Sequence, residues 1–269
     1  MKNRKLGRRE VSILINDIWK NRTFSSGETS TTMGEYIVKY FTDRYHLPLL
    51  RYEWIYNLYY ACQRLVYDDQ IGLFWDILWG NVTEDAYHVP RKEFNTLRKM
   101  MEMRMEDQKI NALLAHDIMD VMDTMYPYKS NRDIEILVYA AAKQLGIDPS
   151  TEAFDVVKLF AQTEEGWERG ELARELARQT AQEITEFGKA ILHSIEVQDK
   201  SSEVALETLK KGFMEVDEGI SPALLTQHMK WIYKVQDLSK AKPMVSSAIV
   251  RQMLNGYIRI SHPVKQRKY

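Results

Sequence analysis

Six histidines and one cysteine are the side chains best suited to bind a soft metal, move a proton near neutral pH or attack a carbonyl. They are His46, His88, His116, His193, His228, His262 and Cys62. No two histidines stand four apart, the spacing that places two ligands on one helix face, and no second cysteine completes a zinc pair. Each histidine reads as a surface or core residue. Cys62 falls within an apolar helical pattern, where a buried thiol stays protonated and inert. The carboxylate pairs Asp68-Asp69 and Glu84-Asp85 lie near helix starts, where acidic side chains complement the macrodipole rather than cleave bonds. The twelve glycines are dispersed. They form no Gly-x-x-x-x-Gly-Lys-Ser/Thr loop, no Gly-x-Gly-x-x-Gly loop to cradle phosphate, and no Gly-x-Ser-x-Gly elbow. The expectation is a chain with no enzymatic activity, no cofactor and no metal.

The elements that would have to position such groups are helical throughout. Residues 10–21 place Val11, Leu14, Ile15, Ile18 and Trp19 on one stripe at the spacing of an amphipathic helix. The pattern repeats over 34–46 (Ile37, Tyr40, Phe41, Tyr45) and 51–67 (Trp54, Leu58, Cys62, Leu65), with Pro48 as the break between them. Residues 70–79 are apolar on most sides and belong in a core, with Gly80 as a stop and Thr83 as the next cap. Helices are expected over 90–105, 110–125, 133–145 (led by Ser130-Asn-Arg-Asp133, a capping-box pattern) and from Asp148-Pro149-Ser150 to about Phe160. The longest uninterrupted pattern is 164–197, with Leu172, Leu176, Ile184, Phe187, Ile191 and Ile195 on one seam. At ~1.5 Å per residue it would make a strut of roughly 50 Å. Helices over 204–216 (capped by Ser202), 222–235 (opened by Ser221-Pro222) and 244–258 complete the chain. No segment alternates like a strand, and no internal repeat is found.

This predicts an all-α fold: a multi-helix body with helix-loop-helix pairs and one long connecting helix. The expected organisation is an aromatic-rich helical domain over 1–161, a connecting helix over 162–200, and a C-terminal helix-loop-helix unit with a basic tail over 201–269. The formal charge of −1 gives no global field toward nucleic acid or anionic membrane. No signal-peptide h-region and no run of ~18–20 apolar residues appears, so a soluble intracellular chain is expected. A single cysteine excludes an internal disulfide framework and fits a reducing compartment.

Helix-loop-helix pairs raise the question of calcium. The best candidate is the turn between 204–216 and 222–235. With Ile220 at the apolar eighth loop position, Phe213 takes position one, Asp217 five and Leu224 twelve, so only Glu215 and Asp217 offer oxygen ligands. The pair is expected to be degenerate and EF-hand-like, its packing kept and its ion lost; ordinary helical hairpins read equally well. The methionines Met100, Met101, Met103, Met105, Met119, Met122 and Met125 are adaptable core or a groove for a partner helix.

The strongest signal is aromatic density between residues 8 and 93, where Trp19, Tyr36, Tyr40, Phe41, Trp54, Tyr56, Tyr59, Tyr60, Phe74, Trp75 and Trp79 fall in helical registers. Such side chains dominate cores and interfaces. Arg8 and Arg9 near one end, and Arg259, Lys265, Arg267 and Lys268 near the other, are basic clusters. They read as solvated surface or as electrostatic docking groups for an acidic neighbour. With Trp19 and Trp54, these six are the candidate partner-binding residues.

Several spaced motifs then point one way. They are Arg8-Arg9-Glu10-Val11, Trp19-Lys20-x-Arg22, Tyr40-Phe41 with Arg44-Tyr45, and Trp54-x-Tyr56. Phe74, Leu78, Gly80, Glu84, Tyr87, Val89, Lys92 and Glu93 follow, then Pro127-x-Lys129 and Glu203-Val204-x-Leu206 with Gly212, Met214 and Asp217. In order and spacing the chain resembles the C-terminal helical region of the translin-associated factor X-interacting protein family, without that family's preceding coiled coil. The resemblance implies a protein of ciliated or flagellated cells with no catalytic activity. The function expected from it is a structural or adaptor subunit of an axonemal complex. Its partners would be other axonemal proteins, with tubulin and radial-spoke or dynein-associated subunits as candidates. The alternative is an EF-hand-like module that binds a partner helix without calcium.

Overall fold

The structure is a computed structural model that describes residues 4–24, 31–161, 170–197 and 199–261, without the side chains of residues 23 and 24. Among the described residues twelve α-helices carry nearly all of the regular structure, which makes the fold all-α. Contacts divide the chain into two compact units, the first holding the described residues up to Glu84 and the second those from Asp85 onward. The boundary expected near residue 161 therefore falls elsewhere, between Glu84 and Asp85.

The first unit contains α1 (Arg8–Phe24), α2 (Met33–Arg44), α3 (Pro48–Arg64) and α4 (Asp69–Leu78). Local chemistry sets each start. Thr32 and Glu35 form a reciprocal capping box on α2, with Thr32 N–H donating to Glu35 Oε2 at 2.7 Å. Pro48 opens α3 at a position where its missing N–H costs nothing. The Asp68 carboxylate accepts from the backbone N–H groups of Gln70 and Ile71 and caps α4. A Cβ at Gly72 would stand 2.5 Å from the Val66 carbonyl oxygen, so only glycine lets α4 approach the end of α3 this closely. Gly80, at φ +68°, supplies the left-handed residue after α4. The core comes from the stripes read in the sequence: Val11, Ile15, Ile18 and Trp19 of α1, Ile37 and Phe41 of α2, Leu58 and Cys62 of α3, and Ile71 and Phe74 of α4.

The second unit begins with α5 (Asp85–Gln108), α6 (Ala115–Met125), α7 (Asn131–Leu145) and the single turn α8 (Val156–Leu159). Ser130 caps α7 as expected, accepting from Asp133 N–H at 3.2 Å, and Gly146 at φ +69° ends it. The helix expected from Asp148 to Phe160 is mostly absent. Asp148 takes the backbone and hydroxyl of Ser150 into a local turn, and Phe154 exchanges main-chain hydrogen bonds with Leu113 (2.7 and 3.2 Å). Such side-chain competition with the helix ladder is what Asp and Ser offer a chain.

Next comes α9 (Glu171–Ser194), which packs against α7, α10 (Leu206–Val216) and α12 (Ser246–Asn255). Its 24 residues span ~36 Å, shorter than the expected strut. Buried residues over its length (Leu172, Ile184, Phe187, Ile191) make it a central core helix of its unit, which corrects the connector expected over 162–200. Gly212 of α10 permits that packing: a Cβ there would meet Ile191 and Ile195 at 2.9–3.0 Å. After α10 come α11 (Pro222–Ile232), with Ser221 and Pro222 in the expected cap and first positions, and a 3₁₀ turn at Leu238–Lys240. Ser202 does not cap α10, whose N-cap is Ala205. Two short strands, β1 (Glu203–Val204) and β2 (Met244–Val245), pair antiparallel. They correct the reading that no strand exists; two-residue strands are too short to alternate visibly.

The hairpin from α10 to α11 is joined by residues 217–221, too few for a twelve-residue ion loop. Asp217 is buried there and accepts from the backbone N–H of Ser261 at 2.7 Å. The longer loops run from α9 to α10 and from α11 to α12, and β1 and β2 lie in them.

His228 on α11 packs against Phe213, and burial pushes its pKa down to about 4 against the opposing pull of Asp217. The unfolded chain then holds the proton more tightly than the native one. The stability contribution is complete above about pH 6.5 and is lost as pH falls toward 4. Denaturant unfolding of the second unit should show a loss on the order of 2–3 kcal/mol across that window, abolished in His228→Phe. Equal pH slopes in the two proteins would refute it.

Candidate interaction surfaces

The sequence candidates separate once placed. Trp19 is 2% exposed and meets the edge of Phe74 at 5.9 Å between ring centroids, so it is core and offers nothing to a partner. Trp54 stacks on Tyr45 at 5.9 Å and on Phe41 at 6.4 Å, and the Arg4 guanidinium covers it at 5.2 Å. Its ring is mostly committed within the first unit. Arg8 reaches Asp68 at 2.7 Å, and Arg9 lies exposed on α1. Lys265, Arg267 and Lys268 lie outside the described residues.

Arg259 is the centre of an internal network in the second unit. Its guanidinium donates to Glu93 Oε1 at 2.5 Å and to the Tyr128 hydroxyl at 2.6 Å, with Glu183 at 3.6 Å. Lys129, almost wholly buried, donates to the same Glu183. Arg259, Glu93, Tyr128 and Glu183 line a cleft of about 610 Å³ together with Lys92, with Val89, Met125, Ile184 and Phe187 as its apolar walls. Two cations facing two carboxylates neutralise each other and tie α5, the α6–α7 loop, α9 and the segment after α12 together. Arg259 is thus a brace and not a free docking charge. Burial also drives the Tyr128 hydroxyl up to about 12, so it stays a neutral donor or acceptor.

The surface that sequence reasoning did not single out is on α3. Leu49, Tyr52, Tyr56 and Tyr60 recur at helical spacing along its outer face, and Tyr67 follows just past its end. Tyr52 is 61% exposed, Tyr56 43%, Tyr60 37% and Tyr67 75%. Tyr56 and Tyr60 stack at 6.2 Å and 12°. Trp79, 58% exposed, lies edge-on to Tyr59 at 6.0 Å and to Trp75 at 5.5 Å, widening the face. The signal was present as a second stripe on a helix whose first stripe, Leu58 and Cys62, is core. A helix apolar on two faces has one face to spare. Contiguous exposed aromatics on this scale mark interaction sites. Among the described residues no three His, Cys, Asp or Glu side chains converge as a metal site, and no helix is long and apolar enough to cross a membrane.

Many residues that carried the resemblance now have structural partners. Arg22 clasps Glu84 at 2.5 and 2.7 Å, Trp19 meets Phe74, Glu93 holds Arg259, and Asp217 holds Ser261. The chain is similar to mouse Translin-associated factor X-interacting protein 1. The two are 20% identical over 236 residues, which cover 87% of this chain and 32% of the mouse protein. The chain thus spans about a third of its relative's length. By its name that protein interacts with translin-associated factor X. No family model and no solved structure matches the chain.

Proposed function

We propose that this protein is a non-catalytic structural or adaptor subunit of a ciliary or flagellar axonemal complex that acts through protein–protein contacts. The observation that carries the reading is the exposed tyrosine face of α3 with Trp79, an uncharged aromatic surface on the four-helix first unit. Aromatic side chains anchor protein interfaces because they bury large areas for few rotatable bonds. The likeness to the mouse protein supports the class, and the resemblance read in the sequence supplies the ciliary location. Its neighbours would be axonemal proteins, tubulin and radial-spoke or dynein-associated subunits among them. Proximity labelling of the tagged chain in a ciliated cell, with imaging, is expected to enrich axonemal proteins along the shaft. A diffuse cytosolic signal with no axonemal neighbours would sink the proposal.

A second reading concerns the C-terminal half of the second unit, an EF-hand-like module that binds a partner helix without calcium. What favours it is that the α9–α10 and α11–α12 loops pair through β1 and β2. In place of an ion, Ser246 Oγ donates to the Asp199 carbonyl at 2.9 Å and Ser246 N–H to the Ser202 carbonyl at 2.9 Å. Asp199 and Asp237 are each engaged by the serine two residues on, Ser201 and Ser239. Lys200, Lys240 and Lys242 stand in the same loops, an unfavourable setting for a divalent cation.

A further inference from the structure

We infer that the α3 tyrosine face is a self-association surface, on which a second copy of this chain packs α3 antiparallel to α3 about a two-fold axis near Tyr56. This names the occupant of the same surface that carries the proposed function and rests on that surface being an interface, but it does not need a ciliary location.

Three observations favour a second copy over a different partner. The first is charge. Three ionisable side chains flanking the stripe are engaged within the first unit. Arg51 donates to the carbonyls of Tyr45 and His46, Arg64 to the carbonyl of Leu6, and Glu53 accepts from Arg4. The face has little charge with which to select an acidic or basic partner. The stripe side chains themselves carry no charge, so two identical faces meet without burying an ionised stripe residue, and Arg51 and Arg64 stay at the flanks.

The second observation is area. Leu49, Tyr52, Tyr56, Tyr60, Tyr67 and Trp79 together expose on the order of 700 Å². That approaches the ~800 Å² each partner contributes to an interface of standard size.

The third is symmetry. An antiparallel two-fold at Tyr56 places Tyr52 opposite Tyr60, Tyr56 opposite Tyr56 and Leu49 opposite Gln63 at the rim. An isologous contact requires such self-complementarity. The stacked pair Tyr56 and Tyr60 holds its rings parallel before contact, which limits the ordering cost of association.

Sedimentation equilibrium of the purified whole chain tests the inference. The expected result is a reversible dimer of twice the 31.6 kDa chain mass. The double substitution Tyr56→Glu/Tyr60→Glu should weaken it by roughly a hundredfold with an unchanged helical spectrum, as loss of a central aromatic pair does. Tyr139→Glu, at an exposed tyrosine of α7, should leave it intact. Should the double variant misfold, Tyr56→Cys gives a second reading. Oxidation would link two copies at position 56, while Leu49→Cys, at the end of the stripe, would link poorly. A chain that remains monomeric into the high micromolar range overturns the inference, as does a dimer indifferent to both variants. A monomeric chain whose stripe variants lose a different protein also overturns it and gives the face to that protein.

Discussion

Replacing Trp19 by alanine is expected to unfold the first unit at temperatures where the second remains folded. Trp19 sits at the meeting of α1 and α4 with 2% of its surface exposed and Phe74 edge-on to its ring. Truncating a fully buried tryptophan removes its transfer free energy and leaves a cavity that neighbours fill poorly. The usual cost is about 3–5 kcal/mol, a large part of the stability of a small domain. The two units are separate packing bodies, so one global transition is not the right description. Hydrogen exchange resolved along the sequence is the suitable measurement. Protection should collapse in α1–α4 and persist in α7, α9 and α12. Undiminished protection in α1–α4 would contradict the assignment of Trp19 to the core, and a loss spread evenly over the chain would contradict the separate unfolding of the two units. Val38→Ala, at a residue of α2 that is 53% exposed, should change stability by less than about 0.5 kcal/mol, because little native packing is lost there.

Arg259→Met should destabilise the second unit by about 2–4 kcal/mol. Removing one member of a partly buried ion pair leaves its partner desolvated and uncompensated, and that penalty exceeds the modest worth of the pair itself. Here Glu93 loses its guanidinium, the Tyr128 hydroxyl loses its donor, and Glu183 keeps only Lys129. Some exposure of the cleft to water lowers the cost from the fully buried limit. A double-mutant cycle with Glu93→Gln isolates the pair. The double variant should recover part of the loss, because the stranded carboxylate is gone. Additive losses would mean that Arg259 acts by packing alone, and no loss would mean that the network is incidental.

How far these features are legible in the sequence depends on the range of the interaction. The periodicity of Val11, Ile15, Ile18 and Trp19, the Ser130 and Ser221 caps, and the Gly80 and Gly146 stops are local signals, and the structure has them where the sequence places them. Asp148-Pro149-Ser150 misleads because its cap pattern is also a turn pattern, and the distant backbone of Leu113 decides between them. The seam of α9 reads equally as a strut or as a core helix; only the folded positions of α7, α10 and α12 distinguish the two. Arg259 looks like one of a basic cluster until Glu93, far away in sequence, is brought against it. The tyrosines of α3 were visible as residues, but which stripe of α3 faces the core is set by α2 and α4. The candidate surface therefore required the fold, whereas the fold class did not.

The proposed place of this chain, held in an axoneme by protein contacts, is tested most directly by fractionation. Ciliated cells expressing the tagged chain can be stripped of membrane with detergent and the axonemes sedimented. The chain is expected to stay with the axonemal fraction and to leave it on high-salt or mild denaturing extraction, alongside structural subunits. Complete release with the membrane and soluble matrix at the first detergent step would contradict it.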